Sequence, residues 1–262
     1  MFRNCYNLKG TITLRNGSYV NAACNFNSVC ENCYNITGVT FASGASRMDN
    51  FTNAFRNCYS LSSVGSINNA SYLGDLSYAF ANCGKLTSVP WSWGNGANYY
   101  YAFYNSGITT AFSTMPVNGA NYHSAFINCK NLTSIGNING YAYTKLNNAF
   151  QNCLNLTSVP YIQNAYIDNA FKGCNNLTSV GRLINIHCAN FAFENCRNIT
   201  EINTVTVNGY GSGCFKFCTN LRYINSMGIN YGSAAFAQCH NLKAINSTIT
   251  FGNNFTNIFY NC

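Results

Sequence analysis

Fifteen cysteines, three histidines and six carboxylates are the residues from which catalysis or metal binding would have to come in this 262-residue chain. A thiolate nucleophile needs a basic neighbour to lower its pKa. His187 stands beside Cys188, a chance pairing, while His123 and His240 fall in other parts of the chain. A structural zinc site needs two close cysteine pairs, and Cys30–Cys33 in "CENC" is one pair. No Ser–His–Asp set, phosphate loop or carboxylate pair is evident. The reading is of a non-enzymatic chain with no catalytic residue, no metal ligand and no cofactor.

The cysteines instead mark a period. Cys5, Cys33, Cys58, Cys83, Cys129, Cys153, Cys174, Cys196, Cys218, Cys239 and Cys262 recur at one phase, and Ser106 fills the remaining slot. That divides residues 1–262 into one solenoid of about twelve units of about 23 residues, since a fixed period of this length signals stacked coils. Counted from the cysteine, position −3 is Phe in every unit but one, where Cys30 stands. Position −1 is mostly Asn, +3 is Leu or Ile, and +6 is Val or Ile. Position +9 is often apolar. Another bulky residue sits at −7 or −8: Phe51, Leu76, Tyr99, Tyr122, Leu146, Tyr166, Cys188, Tyr210, Tyr231 and Phe255. No unit buries such a set alone, whereas stacked units share one core.

The Leu-x-x-Val segment, rich in Thr and Ser, predicts a short strand. The second half of each unit predicts a weak second strand or loop, and Ala-Phe-x-Asn-Cys one turn of 3₁₀ helix. Strands at about 4.8 Å spacing predict a rod or arc roughly 50 Å long. The fold class expected is a repeat solenoid with a parallel sheet on one face, turns and loops on the other, and little or no α-helix.

The segments "AFANCGKLTSVP", "AFINCKNLTSI", "AFQNCLNLTSVP" and "AFKGCNNLTSV" resemble the BspA-type leucine-rich repeat, in motif and in unit length, over essentially the whole chain. The resemblance implies a right-handed solenoid that binds rather than catalyses, of a kind found on bacterial and protozoan surfaces and in phage tail fibres. It places the chain outside the cell, on a cell surface or on a virion. This chain departs from the pattern in its low charge and in the scarcity of the "TIP" that often follows the strand.

The repeat also explains the thiols. In register they predict a column of small buried apolar groups; parallel neighbours point the same way and an odd count leaves one thiol over, so disulfides are not expected. The Asn column predicts side-chain amides bonded up and down the coils. Asn35, Asn131, Asn155, Asn176 and Asn198 begin N-x-T sequons, which the repeat accounts for without glycosylation.

Charged residues make up only 8% of the chain, with a formal net charge of +8. The basic residues are scattered from Arg3 to Lys243, without the dense stripe that nucleic acid requires. No run of 18 apolar residues predicts membrane insertion, and "MFRNCYNLKG" lacks a signal-peptide pattern.

Outward positions carry specificity in a solenoid. Positions +4 and +5 are bland Thr-Ser, and +8 varies: Ser66, Trp91, Asn137, Tyr161, Arg182, Thr204 and Ser226. The segment "PWSWGNGANYYYAF" holds both tryptophans. A ligand site is accordingly expected at Trp91, Trp93, Tyr100, Tyr161 and Arg182, with a host or cell-surface glycan or protein as partner. Later repeats carry Glu201, Arg222, Tyr223 and Lys243, expected to form a solvated end. Both ends read as uncapped and at the same phase, which makes head-to-tail self-association into a fibre the alternative role.

Overall fold

The computed structural model describes the chain except for residues 16–23, 43–46, 67–71, 91–96, 115–119, 247–248 and 254. The described residues form a parallel β-solenoid without a helix. Successive coils pair in register, as in Ile162↔Leu183, Leu183↔Val205 and Val205↔Met227, and each strand pairing is parallel.

The Leu-Thr-Ser-Val segment contributes short strands such as Ser158–Val159 and Ser179–Val180, with Ser outward and Val inward. The second strand is stronger than the sequence predicts. It forms Ile162–Tyr166 and Leu183–Ile186. Elsewhere it fuses with the first into Ser134–Lys145, Glu201–Tyr210 and Tyr223–Tyr231.

The turn before each cysteine is built differently from a 3₁₀ turn. In one coil the N–H groups of Ala54, Arg56 and Cys58 close turns onto the carbonyls of Phe51, Asn53 and Phe55. The alternate N–H groups of Phe51, Asn53, Phe55 and Asn57 donate to Asp75, Ser77, Ala79 and Ala81 of the next coil. Each coil thus satisfies half of its turn donors internally and half on its neighbour, which leaves few buried orphans. This alternation requires left-handed backbone at two positions per coil, such as Asn53 (φ 54°) and Asn57 (φ 62°). Asparagine tolerates that region better than most residues, which is the backbone reason for the Asn column.

The core is the stack of inward columns. From Phe55 to Phe259 the −3 rings lie face to face, with centroids 4.9–5.7 Å apart. The +3 and +6 columns are buried beside them, for example Leu132, Leu156, Val159 and Val180.

One column is corrected. Position −7 faces the core in every coil: Phe51, Leu76, Tyr99, Tyr122, Leu146 and Ile167 are buried. Tyr166, Cys188, Tyr210 and Tyr231, at −8, turn away from it, and Tyr210 is 57% exposed. In these later coils −7 shrinks to Ala189, Gly211 and Gly232. The volume is taken by Val207 and Ile229, whose side chains lie within 4 Å of where a Cβ on Gly211 would stand.

Candidate functional site

The thiols are sealed into the structure. Each cysteine from Cys58 to Cys239 in the repeat column is buried, and every described cysteine side chain is a free thiol. The Sγ–H donates to the carbonyl at −3 of the preceding coil: Cys83 to Phe55 O (3.2 Å), Cys153 to Phe126 O (3.2 Å), Cys196 to Phe171 O (2.9 Å). The Phe55 carbonyl already accepts the Cys58 N–H at 3.1 Å. The column therefore needs a small apolar residue with one weak donor for the second lone pair, and cysteine meets both needs. Burial pushes the thiols up from the ordinary 9.0, to about 11 for Cys129 and about 12 for Cys83 and Cys174. Catalytic cysteines shift the other way. Cys188 is half-buried, and its thiol is also raised, first by burial and less by Asp168.

The Asn column forms the expected ladder. Nδ2 of Asn32, Asn57, Asn82 and Asn105 donates to Oδ1 of Asn4, Asn32, Asn57 and Asn82 at 2.7–3.0 Å. A second ladder, at −8, opens the turns. Asn50, Asp75, Asn98 and Asn121 each accept the N–H two residues on. Beyond Lys145 the −6 column takes over, with Asp168 and Asn190 accepting from Asn190 and Ser212 of the following coils. Burial raises the Asp168 carboxyl, against the lowering effect of the Asn190 N–H. Two acids lie against cations: Glu31 lies 3.0 Å from Arg3 and 3.9 Å from Arg56, and Glu194 2.7 Å from Lys172.

Of the expected binding residues, Tyr100, Tyr161 and Arg182 are described, and Tyr100 lies apart from the other two. Trp91 and Trp93 lie outside the described residues. Tyr161 and Arg182 do share a column, since Ile162 pairs with Leu183 and donates to the Arg182 carbonyl at 3.0 Å. Arg182 is exposed; Tyr161 is half-buried, its hydroxyl donating to Gln163 Oε1 and its N–H to Asn137 Oδ1 at 3.2 Å. Tyr100 belongs instead to the turn segment, at −6, on another stretch of the coil perimeter.

There Tyr100 joins a cluster that sequence reasoning missed. Tyr78 and Tyr101 stack at 5.0 Å with an interplanar angle of 7°. Tyr100 stands edge-on to both, at 5.7 and 4.7 Å, and His123 lies 5.4 Å from Tyr100. The Arg56 guanidinium sits 5.3 Å over Tyr78. Burial, then Lys145, lowers the His123 pKa. Other aromatic groups are Tyr6–Tyr34–Tyr59, at 5.1 and 5.2 Å, and Tyr143–Tyr166–His187, at 4.6–5.5 Å. The available signal was Tyr78 and Tyr101 at −5, in a column made mostly of Ser, Asn and Gly.

Parallel coils, an inward Leu-x-x-Val strand and an outward display of polar and aromatic columns define a leucine-rich-repeat type of solenoid. The BspA type leucine-rich repeat region matches in six copies, at residues 1–109, 52–178 and 147–262. The chain belongs to the BspA-type leucine-rich repeat family. It is similar to a crystallised leucine-rich repeat protein from Bacteroides ovatus, at 14% identity over 96% of this chain and 85% of that one, with a TM-score of 0.48. A leucine-rich cell surface protein from Faecalibacterium prausnitzii is similar at 14% identity over 94% and 88%, with a TM-score of 0.36. A leucine-rich repeat protein from T. pallidum is similar at 14% identity over 89% and 83%, with a TM-score of 0.27. No curated protein matches.

Proposed function

We propose that this chain is a non-enzymatic recognition module, displayed on a cell surface or virion, that binds a host or cell-surface glycan or protein. One observation carries the reading: the nucleophile-bearing columns are buried and protonated, while tyrosines and scattered cations are displayed in register on a regular scaffold. Such a surface offers large, stiff, amphipathic contacts at low entropic cost. Family membership and the surface-protein relative support an extracellular location. Binding of the purified chain to host cells and to a glycan array tests the proposal. Retained affinity in a Trp91→Ala, Trp93→Ala, Tyr161→Ala, Arg182→Ala variant would remove those four residues as the site. No binding to cells, proteins or glycans would remove the function.

Head-to-tail self-association is a second reading, favoured by the polarity of the turn ladder. Donors point from each coil to the next, as from Phe2 N to Val29 O and from Gln238 N to Tyr260 O. A coil's donor side therefore complements the acceptor side of another copy. Light scattering that reports a monomer at millimolar chain concentration rejects it.

A further inference from the structure

We infer that a gap in the outward column at +1, over Gly84 and Gly107, takes a short acidic glycan, with one sugar ring on Tyr59 and the acid group at Lys85 and Lys130. The inference rests on the recognition role proposed above and names its ligand class and place.

The gap follows from a shortened unit. Position +1 reads Tyr6, Tyr34, Tyr59, Gly84, Gly107 and Lys130 along the first six coils. The threonines beyond it stay in one column: Thr109 N donates to Thr87 O at 3.0 Å, and Thr133 N to Thr109 O at 2.9 Å. Thr87 and Thr133 lie four residues after their cysteines, but Thr109 lies three after Ser106. The coil of Ser106 is therefore one residue short in this turn. Its Ile108 stays buried in the core, and Gly107 is drawn in behind it. A Cβ on Gly107 would stand 2.3 Å from the Gly84 carbonyl oxygen, so only glycine packs there. Gly84 is exposed, and a Cβ on it would meet nothing within 4 Å. Two outward side chains are missing in succession. The surface steps down for two coils, about 10 Å at ~4.8 Å per coil.

The groups around this step are exposed and unspent. Tyr59 is 50% exposed. It stacks on Tyr34 at 5.2 Å, its one ring contact among the described residues, and its other face is turned to Gly84. The amide ladder also breaks here. Asn105 donates to Asn82 at 3.0 Å and Asn152 to Asn128 at 3.1 Å, but no bond joins Asn128 to Asn105 among the described residues. The break leaves an acceptor on exposed Asn105 and a donor on half-buried Asn128, at −1 beside the gap. Lys85 and Lys130 are exposed, and neither pairs with a carboxylate among the described residues, whereas Arg3, Arg56 and Lys172 do. These groups select the ligand. A pyranose lays its C–H face on an aromatic ring, and Tyr59, propped by Tyr34 and Tyr6 behind it, is a stiff one. The open space over Gly84 admits that sugar ring. Asn105 Oδ1 accepts from a hydroxyl, and Asn128 Nδ2 donates to another. Two ammonium groups without a carboxylate favour a sugar that carries a carboxylate or sulfate over a neutral one.

The test is a printed array of sialylated, sulfated and neutral oligosaccharides, followed by calorimetry with the strongest acidic binder and its uncharged parent. Gly84→Tyr extends the tyrosine column into the gap, at a position whose backbone lies outside the left-handed region. It is expected to melt at or above the wild-type temperature while losing about tenfold or more in affinity. Lys85→Glu/Lys130→Glu is expected to lose about tenfold or more for the acidic binder, and with it the preference over the parent. Tyr210→Ala, exposed on another column, is expected to bind as wild type. Glycan binding that survives Gly84→Tyr overturns the gap and leaves the recognition role standing. Equal affinity for the acidic binder and its parent, or array binding confined to neutral glycans, overturns the acid. A Gly84→Tyr variant that melts well below wild type overturns the open space over Gly84. Binding to proteins or cells without any glycan overturns the choice of ligand, and binding to none of them overturns the recognition role itself.

Discussion

Raising the pH from 7.5 to 10 in the presence of reductant should unfold this chain far more readily than an ordinary domain. Burial lifts the thiols of Cys129, Cys83 and Cys174 to about 11, about 12 and about 12, from 9.0. A folded pKa above the unfolded one means that the folded state holds its protons longer. The stabilisation is complete below about pH 9 and is lost as pH climbs toward 11–12. At pH 10 the unfolded chain has released about one proton per such thiol and the folded chain almost none. Each thiol then costs about 1.4 kcal/mol of stability. Three give about 4 kcal/mol, a large part of the ~5–15 kcal/mol that holds a typical domain together. Cys153, Cys196 and Cys218, raised further by burial and then by neighbouring thiols, push in the same direction. With a urea slope of ~2 kcal/mol per molar, the midpoint should fall by roughly 2 M, read by far-UV circular dichroism. The buried phenol of Tyr122, also raised, adds to the effect. Cys83→Ala/Cys174→Ala separates the two contributions: it should lose about 3 kcal/mol of the pH dependence, whatever its stability at pH 7.5. Equal midpoints at both pH values, or an unchanged pH dependence in the variant, would refute the account of the cysteine column.

Asn82→Ala should destabilise by about 2–4 kcal/mol, through a left-handed alanine and the loss of two ladder bonds, while Asn82→Gly, free of the backbone strain, should cost about 1 kcal/mol less; urea midpoints decide. Gly209→Ala drives a Cβ into the His187 carbonyl oxygen, a backbone atom of the adjacent coil, and should lower stability by ~1–3 kcal/mol. Gly84→Ala meets no atom within 4 Å and should be neutral or slightly stabilising by thermal melting. A brief iodoacetamide pulse read by mass spectrometry should label half-buried Cys5 and Cys188 well before Cys153 or Cys174; equal labelling would show that the column opens as easily as the surface.

The columns at −3, 0, +3 and +6 were legible from residue type, because a position that is always Phe, Cys, Leu or Val in stacked coils has one place to go. The Thr-Ser face was legible for the converse reason. Position −8 against −7 was not: Tyr166, Tyr210 and Tyr231 are as bulky as Tyr99 and Tyr122. Ile167 already fills the core beside Tyr166, and Val207 and Ile229 fill it beside Tyr210 and Tyr231. The turn was misread because a string of i→i+3 bonds suits a 3₁₀ helix equally well; the difference lies in the alternate N–H groups, which bond to another coil.

By itself, then, the sequence determined the period, the core columns, the buried state of the repeat cysteines and the amide ladder. All of these follow from composition repeated at a fixed interval. Only the tertiary structure decided the hand of the turn backbone, the side on which each tyrosine falls, and the meeting of Tyr78, Tyr100, Tyr101 and His123 across three coils. Residues more than twenty positions apart become neighbours only once coil lengths and register are set. Register is a property of the whole stack, which no single repeat contains.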